Sequence, residues 1–453
     1  MAKASSKFIC STCRYTTPKW IGCCPNCNEW ETFAEQASDP SAAVRPGSSG
    51  NVRAPSISMV HLSSLSHDQD ERLLANLREW DRVVGGGLMR GSLSIVTGDP
   101  GIGKSTLMLQ IGNQIAKEHR VFYFSTEESL KQVKQRAERL GCASAQLLFS
   151  DEANLERIIA TAEQEKPDLI IIDSIQNCYL PDSDSTPGGV SQLRDSTFRL
   201  MRLAKDRTIT VLLSGHITKE GTMAGPKILE HMVDAVFYLQ GEDQWQTRVL
   251  RSVKNRFGTI NEVGFFEMES NGLVEVSNIN EHLVSEASHA PGSALISVVE
   301  GSRPLLLELQ ALTIESKMGI PQRVISGVDH KQVVLIAAIL EKYLQVRLSA
   351  HDIFFKVSGG FKIKSSSADL GIALALLSSY FQQPLPEKSI TLGEISLTGQ
   401  LKAINQITMY IREAEKFGIR NLLLASNQNI ERTDCTVKKF SSVYNLLSLF
   451  SIE

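Results

Sequence analysis

The run Gly98-Asp99-Pro100-Gly101-Ile102-Gly103-Lys104-Ser105-Thr106 fits G-x-x-x-x-G-K-[ST] and constrains the fold more than any other feature of the sequence. Such a run means something only where a strand feeds it and a helix leaves it. Here the apolar stretch Leu93-Ser94-Ile95-Val96 precedes it, and a helical pattern over Ser105–Ala116 follows. From about residue 69 to 285, further apolar runs at Val121–Phe124, Leu169–Ile172, Val211–Leu213 and Ala235–Leu239 alternate with helical patterns at Leu130–Leu140, Leu155–Gln164 and Val190–Lys205. Alternation of this kind predicts an α/β unit whose mainly parallel sheet is covered on both faces. A strand pair near Thr247–Val253 and Gly264–Met268 predicts an antiparallel extension.

The loop chemistry follows from the backbone. Glycines let N–H groups curl around phosphate oxygens, and the helix N-terminus adds its positive dipole end. Lys104 is expected to reach the β- and γ-phosphates of ATP, and the Ser105 hydroxyl to bind Mg²⁺. Leu169-Ile170-Ile171-Ile172-Asp173 is an apolar strand ending in an acid, so Asp173 is expected to hold the same ion through water. Hydrolysis also needs a base for water. Phe122-Tyr123-Phe124-Ser125-Thr126-Glu127-Glu128 ends a strand in two carboxylates, directly after the loop helix, and that strand is expected to run beside the loop strand. Glu127 is the chosen base and Glu128 the fallback; the competing reading is a Glu pair that merely favours the next helix's dipole. His216, ending Val211-Leu212-Leu213-Ser214-Gly215, is either a γ-phosphate sensor or a plain loop histidine.

Five of the eight cysteines fall within residues 10–27. Cys10, Cys13, Cys24 and Cys27 form C-x2-C and C-x2-C with ten residues between, the spacing of a structural Zn²⁺ site closed by four thiolates. Cys23 is the less suitable ligand, because a 23/27 pair would be C-x3-C. A section this small has little core, so the metal would supply its folding energy. Residues 1–33 are therefore expected to be a zinc module and 34–68, rich in Ser, Ala and Pro, a flexible linker. A polar break at Glu286–Gly292 opens the last unit, 286–453. Hydrophobic residues at 42% and charged ones at 21% exclude a wholly disordered chain, and a net charge of −3 excludes bulk attraction to nucleic acid. No apolar stretch approaches the ~18 residues of a membrane span, and Met1–Cys10 lacks a secretory apolar region, so a cytoplasmic location without membrane contact is expected.

Lys254-Asn255-Arg256-Phe257-Gly258, taken with the four-Cys module, the phosphate loop and the length of the last unit, resembles the bacterial RadA (Sms) family. His216-Ile217-Thr218-Lys219-Glu220-Gly221 and Leu229-Glu230-His231-Met232-Val233-Asp234 resemble segments of the same family. The resemblance covers nearly the whole chain. It implies a RecA-like ATPase core in a homo-oligomeric, hexameric ring. The implied activity is that of a helicase-type motor acting on single-stranded and branched DNA, promoting branch migration beside a recombinase filament. It also implies that Lys254 and Arg256 serve hydrolysis across a subunit boundary and DNA binding. A cation delivered from a neighbour stabilises charge on the transferring phosphoryl group. Thr218–Lys227 could line a channel and meet phosphates.

The last unit is similar to the proteolytic domain of Lon, an α+β fold, through Ser365-Ser366-Ser367-Ala368-Asp369-Leu370 and Gly393-Glu394-Ile395-Ser396-Leu397-Thr398-Gly399. Ser367 falls near the nucleophile position of a Ser–Lys dyad. The region expected to hold the Lys reads Asn405-Gln406-Ile407-Thr408, and Lys402 comes too early. A serine without a base is a weak nucleophile, so a non-proteolytic scaffold is expected. Two rivals remain: an ATP-dependent peptidase using Ser367, and an ATP switch that orders a ring without moving DNA. Residues 301–364 hold nine Lys/Arg against five Asp/Glu, a DNA-facing patch or simply a solvated face.

Overall fold

Leu169–Asp173 is buried at every residue, as a strand in the middle of a sheet covered on both faces must be. The computed structural model describes residues 72–183, 185–216, 229–241, 247–260, 262–317 and 320–450, with residues 7–10, 16–17, 22, 25, 33–36, 59 and 61 before them. The chain divides into two compact units, 1–66 and 67–453. The smaller contains β1 (Lys7–Cys10), β2 (Thr16–Thr17) and β3 (Phe33–Gln36), paired antiparallel in the order β2-β1-β3.

The larger unit begins with β4 (Arg72–Leu73), α1 (Arg78–Val84), β5 (Leu88–Met89), β6 (Leu93–Gly98), α2 (Lys104–Ile115), β7 (Val121–Ser125), α3 (Leu130–Arg139) and β8 (Leu147–Ser150). It continues through α4 (Leu155–Glu165), β9 (Leu169–Asp173), α5 (Val190–Arg207), β10 (Thr210–His216), β11 (Ala235–Gly241), β12 (Thr247–Asn255), β13 (Val263–Glu269) and β14 (Gly272–Glu275). β4 and β5 pair with each other, and the other nine strands make one sheet in the order β14-β13-β12-β11-β6-β10-β9-β7-β8. It is parallel from β11 to β8 and antiparallel at β12, β13 and β14. Alternate residues of each strand serve opposite faces. Val96, Tyr123, Ile171 and Leu212 pack with Leu107, Met108 and Ile111 of α2, whereas Ile95, Phe124, Ile172 and Leu213 pack with Ile158 of α4 and Leu200 of α5.

One expectation is corrected here. The strand carrying Glu127, β7, follows α2 in sequence but does not lie beside β6, because β10 and β9 stand between them. The chain leaves two strand positions open at the first crossover, and later elements fill them. Glu127's neighbour is therefore the strand of Asp173, with Ser125 opposite Asp173.

The remainder comprises α6 (Ile279–Ser285), β15 (Ser293–Glu300), β16 (Arg303–Glu315), β17 (Arg323–Ser326), α7 (His330–Leu344), β18 (His351–Val357), α8 (Asp369–Tyr380) and β19 (Ser389–Leu392). It ends with β20 (Glu394–Ile395), β21 (Leu401–Lys402), α9 (Ile407–Lys416), β22 (Asn421–Ala425) and β23 (Thr436–Phe440). A mixed seven-stranded sheet runs β17-β18-β16-β15-β19-β22-β23. Helix α8 is apolar all round and buried from Asp369 to Ser379, as a helix inside a core should be. Gly371 lets it approach the sheet: an added Cβ would stand 2.2 Å from Ile296 Cγ2. Helix α6, on the N-terminal side of the boundary drawn from sequence, packs on β16 of this second sheet. Its Asn280 donates to Pro304 O at 2.8 Å and accepts from Leu306 N at 2.9 Å.

The two sheets share a core, in which Val249, Val263 and Phe265 of the first meet Leu305 and Leu307 of the second. Arg303, at the start of β16, forks onto the buried Glu79 of α1 at 3.0 and 3.1 Å.

Candidate active site

Strand β6 delivers the phosphate loop to the sheet's C-terminal edge. Gly98 must be glycine, since an added Cβ would lie 2.3 Å from Leu239 O, and Gly103 turns into α2 with φ +112°. Lys104 is buried, and its Nζ donates to Gly98 O and Asp99 O, both at 2.9 Å. Burial pulls its pKa below the usual lysine range, while Asp173, Glu127 and Asp99 act in the opposite sense. Pro100 and Gly101 form the loop's exposed rim, Asp99 is half-buried, Ile102 and Thr106 are buried beneath the loop, and Ser105 lies half-buried in the first turn of α2. A left-handed glycine loop, a helix N-terminus and a buried ammonium resting on loop carbonyls fit a triphosphate.

Asp173 ends β9. Its Oδ1 accepts from Ser214 Oγ at 2.5 Å and its Oδ2 from Tyr123 OH at 2.8 Å. Burial, then Asp173 itself, pushes the Tyr123 phenol far above its ordinary pKa, so it stays a donor. Two fixed hydroxyls thus aim the carboxylate, a donor set that suits a hydrated Mg²⁺ beside Ser105. Glu127 receives a hydrogen bond from Ser174 Oγ, next to Asp173. Thr126 knits the same strand ends, donating its N–H to Asp173 O and accepting from Ser174 N, both at 2.8 Å. Glu128 is engaged elsewhere, by Arg136 of α3 at 2.5 Å. Geometry thereby separates two carboxylates that sequence could only rank. His216 pairs through its backbone with Gly98, while its side chain and residues 217–228 lie outside the described residues.

No motif marks Tyr123, Ser174 or Ser214 in the sequence. Their signal is faint: Ser174 and Ser214 are hydroxyls at or near the C-terminal ends of apolar strands, and Tyr123 lies in the middle of one.

Lys254 and Arg256 are not brought to this edge. Strand β12 runs antiparallel to β11, which places Asn255 opposite Ala235, itself level with Ser94 at the start of β6. Lys254 Nζ donates to Val233 O at 2.7 Å and to Glu230 O. Asp234 N donates to Leu93 O, so this ammonium lies about five residue steps of strand from Gly98, roughly 17 Å at ~3.3 Å per residue. No lysine side chain spans that distance. Arg256 pairs with Asp234 at 3.2 Å.

In the second sheet's domain, Ser367 is buried and its Oγ shares a hydrogen bond of 2.8 Å with Ser365 Oγ. Lys402 faces Glu394 at 3.8 Å, and Glu394 also accepts from Ser366 Oγ at 3.0 Å. Thr408 lies on α9. Cys13, Cys24 and Cys27 lie outside the described residues, and Cys10 is described only as the end of β1.

The DNA repair protein RadA of Bacillus subtilis (strain 168) is 41% identical over 430 residues, which cover 94% of this chain and 93% of that protein. This chain belongs to the RadA family. The RadA protein of Listeria monocytogenes is 42% identical over 428 residues, again 94% of this chain and 93% of its own. Family profiles match in three places: a rubredoxin metal binding domain at residues 8–35, an AAA domain at 60–222 and subunit ChlI of Mg-chelatase at 315–428. Among solved structures, the RadB recombinase is 22% identical with a TM-score of 0.37, covering 45% of this chain and all of its own. A KaiC-like protein from Pyrococcus horikoshii is 19% identical with a TM-score of 0.39, covering 46% of this chain and all of its own. Among the described residues, no helix is long and apolar enough to cross a membrane.

Proposed function

We propose that this RadA-family P-loop ATPase is a DNA motor. It hydrolyses ATP at seams between protomers of a homo-oligomeric ring, hexameric by family likeness, and promotes branch migration on single-stranded and branched DNA beside a recombinase filament in the cytoplasm. The observation that carries the reading is the placement of Lys254 and Arg256 on the sheet edge opposite the phosphate loop. A protomer's own nucleotide cannot receive them, but a neighbour's can. Lys104 exchanges two loop carbonyls for β- and γ-phosphate oxygens. Ser105 and Asp173 hold the Mg²⁺ that shields phosphate charge. Glu127, kept close to Asp173 by Ser174, orients and deprotonates the attacking water. Lys254 and Arg256 meet the charge that develops on the transferring group of the adjoining protomer. Cys10, Cys13, Cys24 and Cys27 hold a structural Zn²⁺.

The second sheet's domain serves as a Lon-like, non-proteolytic scaffold of the ring. Supporting this, Ser367 bonds to another hydroxyl and Lys402 to a carboxylate, so no base is poised on the serine. Peptide turnover lost in Ser367→Ala but kept in Lys104→Ala would restore the peptidase reading.

The deciding experiment is ATP turnover with and without single-stranded and forked DNA at stated salt. Stimulation by DNA, lost in Lys104→Ala, is expected. Turnover indifferent to DNA would leave an ATP switch in place of a motor.

A further inference from the structure

Residues 229–234 do more than connect two strands. Glu230 and Val233 offer their carbonyls to Lys254 Nζ. The next side chain, Asp234, is 3% exposed and holds three donors: Arg256 at 3.2 Å on Oδ1, and Lys205 Nζ at 2.7 Å and Leu93 N at 3.0 Å on Oδ2. Arg256 also donates its backbone N–H to Asp234 O at 3.1 Å. Lys205, from α5, lies over the Phe257 ring at 5.7 Å, so the same carboxylate steadies the far side of the Lys254–Gly258 segment. Arg256 itself is 57% exposed: one N–H is committed and the rest of the fork faces solvent. A buried carboxylate that grips one corner of a guanidinium and leaves the remainder free aims it without consuming it.

We propose that Asp234 is a positioning residue for the cations delivered to the neighbouring protomer's nucleotide. It fixes Arg256 directly, and it fixes Lys254 by holding the turn on whose carbonyls that ammonium rests. Because its second oxygen is bonded to Leu93 N at the start of β6, each protomer's loop strand carries its own phosphate loop at one end and, at the other, the cations it delivers to its neighbour. This inference rests on the proposed cross-boundary role of Lys254 and Arg256.

The test uses full-length protein in mixed assemblies. Asp234→Asn keeps the acceptor for Leu93 N and removes the charge. Its DNA-stimulated turnover is expected to fall ~10- to 100-fold with nucleotide affinity retained, the pattern of a misplaced transition-state group. Asp234→Glu, which restores the charge at a shifted position, is expected to fall in between. Lys104→Ala alone is inactive but keeps an intact cation cradle. Co-assembled in equal amounts with Asp234→Asn, it should restore roughly a quarter of parental turnover, since one seam in four then joins a working loop to a working cradle. A merely structural defect in Asp234→Asn would not be rescued by a partner. Arg256→Ala mixed with Lys104→Ala is the control. If that control recovers activity and the Asp234→Asn mixture does not, Asp234 is no positioning residue. If the control also stays silent, the cross-boundary reading falls and this inference with it. Parental turnover in Asp234→Asn alone overturns the proposal outright.

Discussion

At the scale of single residues, the nucleotide edge is a set of polar groups holding one another in readiness. The buried Lys104 ammonium rests on the loop's carbonyls, which phosphate replaces in the proposed mechanism, so Lys104→Ala is expected to abolish productive ATP use; near-normal turnover would refute the loop's role. Asp173 depends on two hydroxyls. Tyr123→Phe deletes one without changing shape, and it is expected to raise the Mg²⁺ concentration needed for half-maximal turnover by about 10-fold, the size of effect found for groups behind a metal ligand. A magnesium titration checks this, and an unchanged midpoint would show the phenol to be idle. The cysteines separate by chemistry. Burial pushes Cys178 up to about 12 and Cys142 to about 11. At pH 8 roughly one Cys142 in a thousand is thiolate, so iodoacetamide should spare both residues in the folded protein. Cys24→Ser should lose zinc and Cys23→Ser should keep it; equal metal content in the two variants would reverse the choice of ligand.

At the scale of elements, the hairpin joining β15 to β16 is the fastening between the two sheets. Arg303 forks onto Glu79, Ser302 Oγ donates to Glu262 at 2.7 Å, and Arg251 pairs with Glu300. Glu79 is 5% exposed and also holds Arg82 at 2.5 Å. Arg303→Ala therefore leaves a buried carboxylate with Arg82 and the Phe265 N–H as its remaining donors. A loss of about 2 kcal/mol is expected, below the usual 3–5 for a stranded buried charge because Arg82 remains. Urea denaturation reads it, and an unmoved midpoint would mean the seam is held by its apolar contacts alone. The central strands β9 and β10 were plain in the sequence because burial on both faces demands unbroken apolar runs. Strands β8 and β14 were not. Each has four residues, and β8 lies on the sheet's edge with Leu148 and Phe149 partly in solvent, so neither leaves a pattern that local sequence separates from a loop.

For the whole molecule, the proposed cross-boundary role of Lys254 and Arg256 makes hydrolysis a property of the assembly. With the phosphate loop and the cations on opposite edges, Lys254→Ala is expected to lower turnover and leave nucleotide affinity almost intact; a collapse of affinity would make Lys254 a ligand within its own protomer. Turnover per protomer should likewise fall on dilution below the assembly concentration, and a concentration-independent rate would contradict a shared site. The sequence by itself determined the phosphate loop, the acid at the end of β9, the cysteine spacing and the parallel α/β core, since each is written in residues that are neighbours along the chain. Tertiary structure alone decided which of Glu127 and Glu128 is bonded to the residue beside Asp173, which hydroxyls aim that carboxylate, and how far Lys254 and Arg256 stand from their own loop. Strand order and register bring those groups together or hold them apart, and both are set by which faces the helices bury, over separations that local patterning does not record.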